Sequence, residues 1–464
     1  MPEPPPLLSP SVDAMRQPVL EGTTRPLAWR HDQLGRLEAL LNTVETDLLE
    51  ALANDLGKPP LEAYYELVGV REELKLTRRH LKRWLAGRRI PLPAWSWPAR
   101  GRVQPEPLGC VLILGAWNYP FQLCLQPVIS ALAAGNTVVL KPSELAPHTA
   151  KLMADRLGHL FPPEIVQVVQ GDGEVGAQLL ETRFDHIFFT GGGRVGRLVM
   201  AAAARHLTPV TLELGGKSPA IALADASLAP TARRLVWGKG LNAGQTCVAP
   251  DHLLVVPEIE APLLEAIAVE IRRLYGADPL ASPDLGRVVS RSHFERLANL
   301  VRQADQRGQL LLGGRMDAEE RRIEPTLLRV DDPDNDPLMR EELFGPLLPV
   351  LRVPHLEAAI ARVQAGPKPL ALYLFGQRQQ DRERLRLATS SGSLAFNDVV
   401  VQVGVSQLPL GGVGESGMGA YHGHTGFLTF SHQRSILEQR FWPDLPLRYP
   451  PYAGKLPLLK RLMG

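Results

Sequence analysis

Hydrophobic positions near the start of the chain follow a helical period. From residue 31 to 56, apolar side chains recur every three or four residues, at Leu34, Leu37, Leu41, Val44, Leu48, Leu52 and Leu56. Such spacing is typical of an amphipathic helix, so we predict a helix over 31–56 and a second long helix over 61–86. The Pro- and Trp-rich stretch 88–103 breaks the period, and we expect extended or looping chain there.

The pattern then changes to short apolar runs that alternate with helical segments. The first series comprises LGCVLILG, TVVLK, EIVQVV, DHIFFT and PVTLEL; the second runs from PAIAL (219–223) through HLLVV, QLLLGG, LLPVLRV and LALYLF to SLAFN. Repeated strand–helix alternation predicts parallel sheets with helices on both faces. We therefore expect two α/β domains, joined near 210–220 and again near 395–405.

Length and charge narrow the class of protein. A chain of 464 residues is too long for one ordinary core. Lys and Arg number 51 against 49 Asp and Glu, so no global field attracts nucleic acid or anionic lipid. The basic, amphipathic segment 455–464 is a candidate docking tail. Docking on the protein or on a partner subunit is favoured there over contact with a membrane surface.

Cysteine usage points to a reducing compartment. The three cysteines, Cys110, Cys124 and Cys247, have no metal-ligand spacing and are too sparse for a disulfide framework. The N-terminal segment has neither a basic region nor a long apolar core, so we do not expect a secretory signal. These features predict a cytoplasmic protein.

A glycine-rich segment is a candidate cofactor turn. HIFFTGGGRVGRLVM (186–200) places Gly191, Gly193 and Gly196 between an apolar run and a helical pattern. Glycines allow close backbone approach, and a helix N-terminus attracts a pyrophosphate; a structural turn fits the same residues. An acid about twenty residues later usually binds the ribose, which would be Glu213. However, Glu213 precedes two glycines at a predicted domain junction, where a residue is better placed to act in a cleft.

Seven segments, in order, resemble motifs of the aldehyde dehydrogenase superfamily. They are GAWNYPFQL (115–123), AAGNTVVLKPSE (133–144), FFTGGGRVG (188–196), LELGGKSP (212–219), GQTCVAP (244–250), EELFGPLLPV (341–350) and PLGGVGESGMGAYHG (409–423). The short N-terminal region, the Tyr after Asn118 and GMGAYHGHTGFLTFSH (417–432) most resemble the class 3 branch, which includes fatty and aromatic aldehyde dehydrogenases. The resemblance spans nearly the whole chain.

The resemblance implies an α/β fold with three parts and a tail. A Rossmann-type, dinucleotide-binding domain is expected from 1–89 and 107–212, and an α/β catalytic domain from 213–402. A small bridging element, which pairs subunits in this family, is expected from 90–106 and 420–445. Residues 446–464 form the tail. The class 3 likeness also implies a homodimer.

The resemblance also implies the catalytic roles. Cys247 is the nucleophile, and a thiol is the best nucleophile among side chains. Asn118 donates its neutral amide to the developing oxyanion, beside the backbone N–H of Cys247. Glu213 is freed from the ribose and becomes the general base for the water that cleaves the thioester, a role that burial would assist by raising its pKa.

The cofactor and substrate positions follow from the same likeness. The implied cofactor contacts are Trp117, Lys141, Ser143, Glu144, Gly191, Gly192, Gly196, Glu342 and Phe344. Glu144 would accept a hydrogen bond from a ribose 2′-hydroxyl and repel a 2′-phosphate, which favours NAD; NADP is retained because class 3 relatives often accept both. Tyr64 and Tyr119 are candidates for the aldehyde pocket. No metal is expected, because His422, His424 and His432 lack carboxylate partners.

The predicted activity is NAD(P)-dependent oxidation of medium- or long-chain aliphatic or aromatic aldehydes to carboxylic acids, through a cysteine hemithioacetal and a thioester. One alternative is a relative that transfers the acyl group to coenzyme A, which the retained Glu213 disfavours because that transfer needs no water-activating base. A silent scaffold or ligand-binding relative is disfavoured by intact Cys247, Asn118 and Glu213. The individual aldehyde is not identified by the sequence.

Overall fold

A computed structural model describes residues 8–444 and 446–463, with only the backbone of the last two. Residues 1–7 of the predicted cofactor domain lie outside the described residues. So do Leu445 at the end of the predicted bridging element and Gly464 at the end of the predicted tail. Within the described part of the chain, no helix combines the length and apolar character needed to cross a membrane.

The α-helices of the described residues are α1 (Val12–Leu20), α2 (Leu27–Thr43), α3 (Glu45–Leu56), α4 (Pro60–Leu85), α5 (Gln122–Ala134), α6 (Pro147–Leu160), α7 (Gly173–Leu180), α8 (Gly193–Ala204), α9 (Leu228–Gly240), α10 (Pro257–Tyr275), α11 (Arg291–Gln306), α12 (Leu356–Ala365), α13 (Gln379–Ala388), α14 (Gly423–Thr429) and α15 (Lys455–Met463).

The strands are β1 (Arg88–Ile90), β2 (Arg100–Pro107), β3 (Cys110–Leu114), β4 (Thr137–Lys141), β5 (Val166–Val168), β6 (His186–Thr190), β7 (Val210–Glu213), β8 (Pro219–Ala222), β9 (His252–Val255), β10 (Leu310–Leu312), β11 (Met316–Asp317), β12 (Arg322–Ile323), β13 (Thr326–Arg329), β14 (Leu347–Arg352), β15 (Ala371–Phe375), β16 (Ser393–Phe396), β17 (Gly417–Met418) and β18 (Ser431–Glu438).

The prediction of one helix over 31–56 was wrong, because two helices cover this range. Val44 ends α2 by donating its N–H to the carbonyl of Leu40 (3.0 Å), and its own carbonyl accepts from Leu48 N (2.9 Å) in α3. The leucine period continues across this break because both helices bury their apolar faces in one core. The prediction of a second long helix is confirmed by α4, which begins at Pro60, a favoured first position.

The first sheet has six strands in the order β17-β7-β6-β3-β4-β5, all parallel except β17. It confirms the first series of predicted strands. Because side chains alternate along a strand, Val111 and Ile113 of β3 join the core on one face, whereas Cys110, Leu112 and Leu114 join the core on the other. Helices therefore cover both faces, as the alternation predicts.

The second sheet has seven strands in the order β10-β13-β14-β9-β8-β15-β16, parallel except for β10. It confirms the second series of predicted strands and adds β13, which the pattern missed. A short antiparallel pair, β11–β12, lies outside it. One large hydrophobic cluster packs around the seven-stranded sheet.

A third, antiparallel sheet joins β1, β2 and β18. Strand β18 pairs with β2 along its whole length, from Ser431 opposite Pro107 to Glu438 opposite Arg100. This sheet takes most of its residues from the ranges expected to form the bridging element. Helix α14, also within 420–445, instead packs against α4 and α5 beside the six-stranded sheet.

Candidate active site

The carboxyl ends of parallel strands bring the predicted site together. Lys141 ends β4, Thr190 ends β6 and Glu213 ends β7, with Thr190 and Glu213 paired directly across the two strands. Ligands of open α/β sheets bind outside such strand ends. A cavity of about 490 Å³ opens there and extends to Cys247, a volume within the usual range of small-molecule sites.

The cavity gathers most of the predicted residues. Those that line it are Trp117, Asn118, Lys141, Ser143, Glu144, Gly191, Gly192, Glu213, Cys247, Glu342 and Phe344. Three predicted residues do not line it: Gly196, Tyr64 and Tyr119. A Cβ on Gly196 would lie 2.8 Å from Leu214 Cδ2, so this glycine permits close packing of α8.

The two tyrosines bind neighbouring side chains. The Tyr119 hydroxyl lies 2.6 Å from Thr246 Oγ1, directly before Cys247 in the chain. The Tyr64 hydroxyl accepts a hydrogen bond from Arg71 Nη1 at 3.3 Å. Tyr119 is thus attached to the segment that carries Cys247, the predicted nucleophile, whereas Tyr64 is attached to its own helix.

Left-handed backbone precedes Cys247. Asn242, Ala243 and Gly244 have φ values of 53°, 52° and 74°, and a left-handed non-glycine residue costs about 1–2 kcal/mol. A Cβ at Gly244 would lie 2.3 Å from the carbonyl oxygen of Gly345, so the turn also requires glycine there. The Asn242 N–H donates to Glu62 Oε2 at 2.8 Å. Surrounding contacts therefore hold a strained turn at the thiol.

Asn118 lies against this turn. Its buried side-chain Nδ2 donates to the carbonyl of Gln245 at 3.1 Å. Its own carbonyl accepts from Lys58 Nζ and from Asn242 Nδ2, each at 2.8 Å. An amide nitrogen carries two N–H groups, so one remains for a ligand in the cavity.

Burial controls the charge of the reacting groups. Desolvation, and secondarily the carboxyl groups of Glu342 and Glu213, raise the pKa of the Cys247 thiol to about 12. Burial raises the pKa of Glu213 well above its ordinary value, and Glu213 Oε1 has no hydrogen-bond partner within the described residues. Burial, with the nearby charge of Asp251, raises the pKa of Glu342 to about 8. At neutral pH the site without ligand therefore favours the neutral forms of these groups.

An ion pair between the half-buried Lys217 and the buried Asp251 supports the segment that carries Glu342 and Phe344. Lys217 Nζ donates to the Asp251 carboxylate and to the backbone carbonyls of Leu338 and Glu341, and Asp251 Oδ1 accepts from Leu343 N at 2.8 Å. Burial alone would raise the pKa of Asp251, but Lys217 and neighbouring cations hold it well below its usual range. Asp251 therefore remains ionised and fixes this segment.

Sequence reasoning missed several residues of the site. Lys217 and Asp251 lie inside and directly after quoted motifs, and this adjacency was the available signal. His293 and Arg296 of α11 line the cavity, and the His293 ring lies 5.5 Å from that of Trp117; no motif pointed to them. Gly176 also lines the cavity, and a Cβ there would lie 3.6 Å from Lys141 Cε.

The cavity wall fits a dinucleotide. Helix α8 begins after Gly192, has no side-chain cap and has no acid in its first turn, so its N–H groups are free for a pyrophosphate. The buried Thr190 Oγ1 has no hydrogen-bond partner within the described residues. Lys141 Nζ lies 3.3 Å from Glu144 Oε2, and this carboxylate is partly exposed. These groups offer donors to phosphate and both donor and acceptor to ribose.

Comparison with known proteins identifies the family. The model of the aldehyde dehydrogenase family matches residues 11–436. The chain is 44% identical over 455 residues to aldehyde dehydrogenase family 3 member H1 of Arabidopsis thaliana, covering 97% of this chain and 94% of that protein. It is 43% identical over 453 residues to the dimeric NADP-preferring aldehyde dehydrogenase of Rattus norvegicus, covering 97% and 99%.

A solved structure agrees with these relatives. The substrate-bound state of AldH from Staphylococcus aureus matches with a TM-score of 0.93 at 38% identity, covering 97% of this chain and 98% of that one. The predicted fold class and the predicted likeness to the class 3 branch are thereby confirmed. The chain belongs to the aldehyde dehydrogenase family and is an oxidoreductase that acts on aldehydes.

Proposed function

We propose that this chain oxidises aldehydes to carboxylic acids with NAD or NADP, through a thioester on Cys247 that Glu213 helps to hydrolyse. The observation that carries this proposal is one cavity that Cys247, Asn118 and Glu213 line together with the free N-terminus of α8.

In the first chemical step, the Cys247 thiol loses its proton to solvent, and the resulting thiolate Sγ forms a bond to the aldehyde carbon. The carbonyl oxygen becomes an oxyanion, which accepts hydrogen bonds from the free Asn118 N–H and the backbone N–H of Cys247. When bound, NAD or NADP supplies the acceptor for the hydride that leaves this carbon, so a thioester remains on Cys247.

The second step hydrolyses the thioester. Glu213, in its ionised form, accepts a proton from water as the water oxygen attacks the acyl carbon. The bond between Sγ and that carbon then breaks, the carboxylic acid leaves and Cys247 is regenerated. Acyl transfer to coenzyme A has no use for this base, so Glu213 favours hydrolysis.

Cofactor binding uses the lining of the six-stranded sheet. The Lys141–Ser143–Glu144 segment holds the adenosine ribose, and Gly191 and Gly192 approach the pyrophosphate. Trp117 stands beside Phe344, with ring centroids 5.3 Å apart, and Glu342 and Phe344 hold the nicotinamide ribose and ring. Glu144 favours NAD, and NADP is the second cofactor because the rat relative is named as NADP-preferring.

Each part of the chain that forms one of the three main sheets has its own proposed role. Residues 8–89 and 107–212 bind the cofactor, 213–402 carry the nucleophile, and 90–106 with 420–444 bridge two subunits. The substrates are medium- or long-chain aliphatic or aromatic aldehydes. The three free cysteines suit the cytoplasm, a reducing compartment.

The chain forms a homodimer through the sheet β1–β2–β18. One edge of β18 is unpaired within the described residues, and such edges are usually covered. Leu437 on this strand is 64% exposed, and the rat relative is named as dimeric. The tail 446–463 docks on the protein itself or on the partner subunit. A Leu437→Glu variant that sediments as a monomer would support this interface, whereas an unchanged dimer would contradict it.

The activity is tested by reduced-cofactor formation over a panel of aldehydes, with NAD and NADP in parallel and with coenzyme A present or absent. Cys247→Ala should abolish turnover, whereas the matched control Cys110→Ala, buried in β3 outside the cavity lining, should retain it. If turnover occurred only with coenzyme A present, the acyl group would be transferred to coenzyme A, and Glu213 would not have its proposed role as the base for hydrolysis. A folded wild type that reduces neither cofactor would favour the scaffold alternative.

A further inference from the structure

A fully buried ion pair lies behind the candidate oxyanion donor. Lys58 Nζ and Glu66 Oε1 are 2.5 Å apart, and both side chains have 0% exposure. Lys58 lies in the turn between α3 and α4, and Glu66 lies in α4. Neither residue lines the cavity. Charged side chains are almost never buried so completely without a specific partner.

The Lys58 ammonium contacts the segment that carries the donor. Beyond Glu66, it donates to the Asn118 carbonyl at 2.8 Å and lies 3.9 Å from the ring centroid of Tyr119. An ammonium has three N–H donors, and these three contacts use them. Charge-assisted hydrogen bonds are shorter and stronger than neutral ones, so Lys58 restrains the backbone at Asn118.

The second carboxylate oxygen of Glu66 holds the other end of the same segment. Glu66 Oε2 accepts from Phe121 N at 3.0 Å and from Gln122 N at 3.1 Å. These are amides at the start of α5, whose own N-cap residue provides no side-chain cap. A carboxylate at a helix N-terminus is favourable. The ion pair therefore restrains segment 118–122 at both ends.

Segment 118–122 is joined in turn to the nucleophile. The Tyr119 hydroxyl contacts Thr246 Oγ1, and Asn118 Nδ2 donates to Gln245 O. Residues 245 and 246 directly precede Cys247. The position of the Asn118 amide relative to Sγ therefore depends on a rigid 118–122 segment.

We propose that Lys58 and Glu66 are positioning residues that fix the Asn118 amide where the oxyanion forms. This inference rests on the proposed function of Asn118. Stability alone does not require the charges, because replacing a buried ion pair by neutral groups of similar volume is often neutral or stabilising. A misplacement of a catalytic group by about 1 Å costs roughly 100-fold in rate. Holding the Asn118 amide in place would therefore explain why both charges are present.

The test is the double variant Lys58→Met, Glu66→Gln, which removes both charges of the pair together. We expect kcat to fall by about 30- to 100-fold, with the KM for NAD and the unfolding temperature little changed. In an Asn118→Ala background the same two substitutions should lower kcat by less than about threefold, because the group they position is absent. The matched control is Glu260→Gln, a buried acid paired with Arg329 and Arg352 away from the cavity, which should keep wild-type kcat.

Two results would overturn the proposal, and they differ in meaning. If the double variant keeps wild-type kcat, or loses the same factor with and without Asn118, the pair does not act through that amide, although the proposed function stands. If Asn118→Ala itself keeps wild-type kcat, the proposed role of Asn118 fails and the positioning role fails with it. Should the double variant not fold, Lys58→Met alone decides by the same criteria, since the buried Glu66 carboxyl group can bind a proton and still accept from the α5 amides.

Discussion

Replacing Glu213 with Gln should separate the two halves of the reaction. Glu213 ends β7, is 5% exposed and leaves Oε1 without a hydrogen-bond partner within the described residues. Glutamine has nearly the same volume and cannot act as a base. Because hydride removal precedes the step that needs the base, the variant should still form one reduced cofactor per subunit in a rapid burst.

The magnitude follows from the role of a general base. Proton transfer by a positioned side chain contributes about 10²–10⁴-fold, so steady-state turnover of Glu213→Gln should fall by that factor. Wild-type turnover should rise with pH, because burial raises the pKa of Glu213 and the ionised base appears only at higher pH. Stopped-flow and steady-state assays across pH measure both. Loss of the burst, or turnover within about threefold of wild type, would refute the assigned role.

The same burial makes a stability prediction with a defined sign. The folded pKa of Glu213 lies well above the unfolded value, so the folded state binds its proton more tightly. The stability that this proton provides is complete below the unfolded pKa of about 4.3 and declines by up to about 1.4 kcal/mol per pH unit up to the folded pKa. Glu213→Gln should not show this decline. Thermal unfolding of both proteins from pH 5 to 8 tests it, and parallel curves would contradict it.

Three further predictions concern the nucleophile turn and the cofactor. Gly244→Ala should lower the unfolding temperature and abolish activity, because its Cβ would lie 2.3 Å from the Gly345 carbonyl oxygen; calorimetry with a wild-type-like transition would contradict this. Glu144→Ala should raise the NADP-to-NAD ratio of kcat/KM about tenfold by removing repulsion of a 2′-phosphate, and an unchanged ratio would exclude that role. Iodoacetamide alkylation of Cys247 should rise with pH beyond pH 9, because burial raises the thiol pKa to about 12. Bound NAD⁺ should shift that profile down by about 1–3 units, and coincident profiles would argue against it.

Helices and strands could be predicted wherever the hydrophobic pattern of neighbouring residues was sufficient to define them. The strands of the two parallel sheets were predictable because a strand buried on both faces is a continuous apolar run, as in β3. Helices α2 and α3 were merged because a bend at Val44 leaves the apolar period intact. Strand β13 (TLLR) was missed because Arg329 interrupts its apolar run after only two leucines, so the segment lacks a continuous apolar pattern.

The site was predictable where its residues lie in ordered motifs and hidden where long-range contacts create it. Cys247 and Asn118 could be identified as candidate site residues from the motifs that surround them in the sequence. Lys58 and Glu66 could not, because a charged residue in a turn or in a helical pattern predicts a solvated position. Their burial follows from long-range packing of the α3–α4 turn and of α4 against segment 118–122, which no one of these segments reveals alone.

Cys247 and Glu213 lie at the cavity where burial favours their neutral forms, so the two groups share one requirement: each must become ionised before it can react. In the proposed reaction, the thiol of Cys247 must ionise to attack, and Glu213 must ionise to accept a proton, yet burial opposes both changes. An oxidised nicotinamide carries a positive charge into the same cavity, and an opposite charge within about 4–6 Å lowers the pKa of an acid. We therefore expect the thiol of Cys247 to become a strong nucleophile only when the hydride acceptor is beside it. Burial of the site thus couples the reactivity of Cys247 to the presence of the cofactor, which the alkylation profiles measure directly.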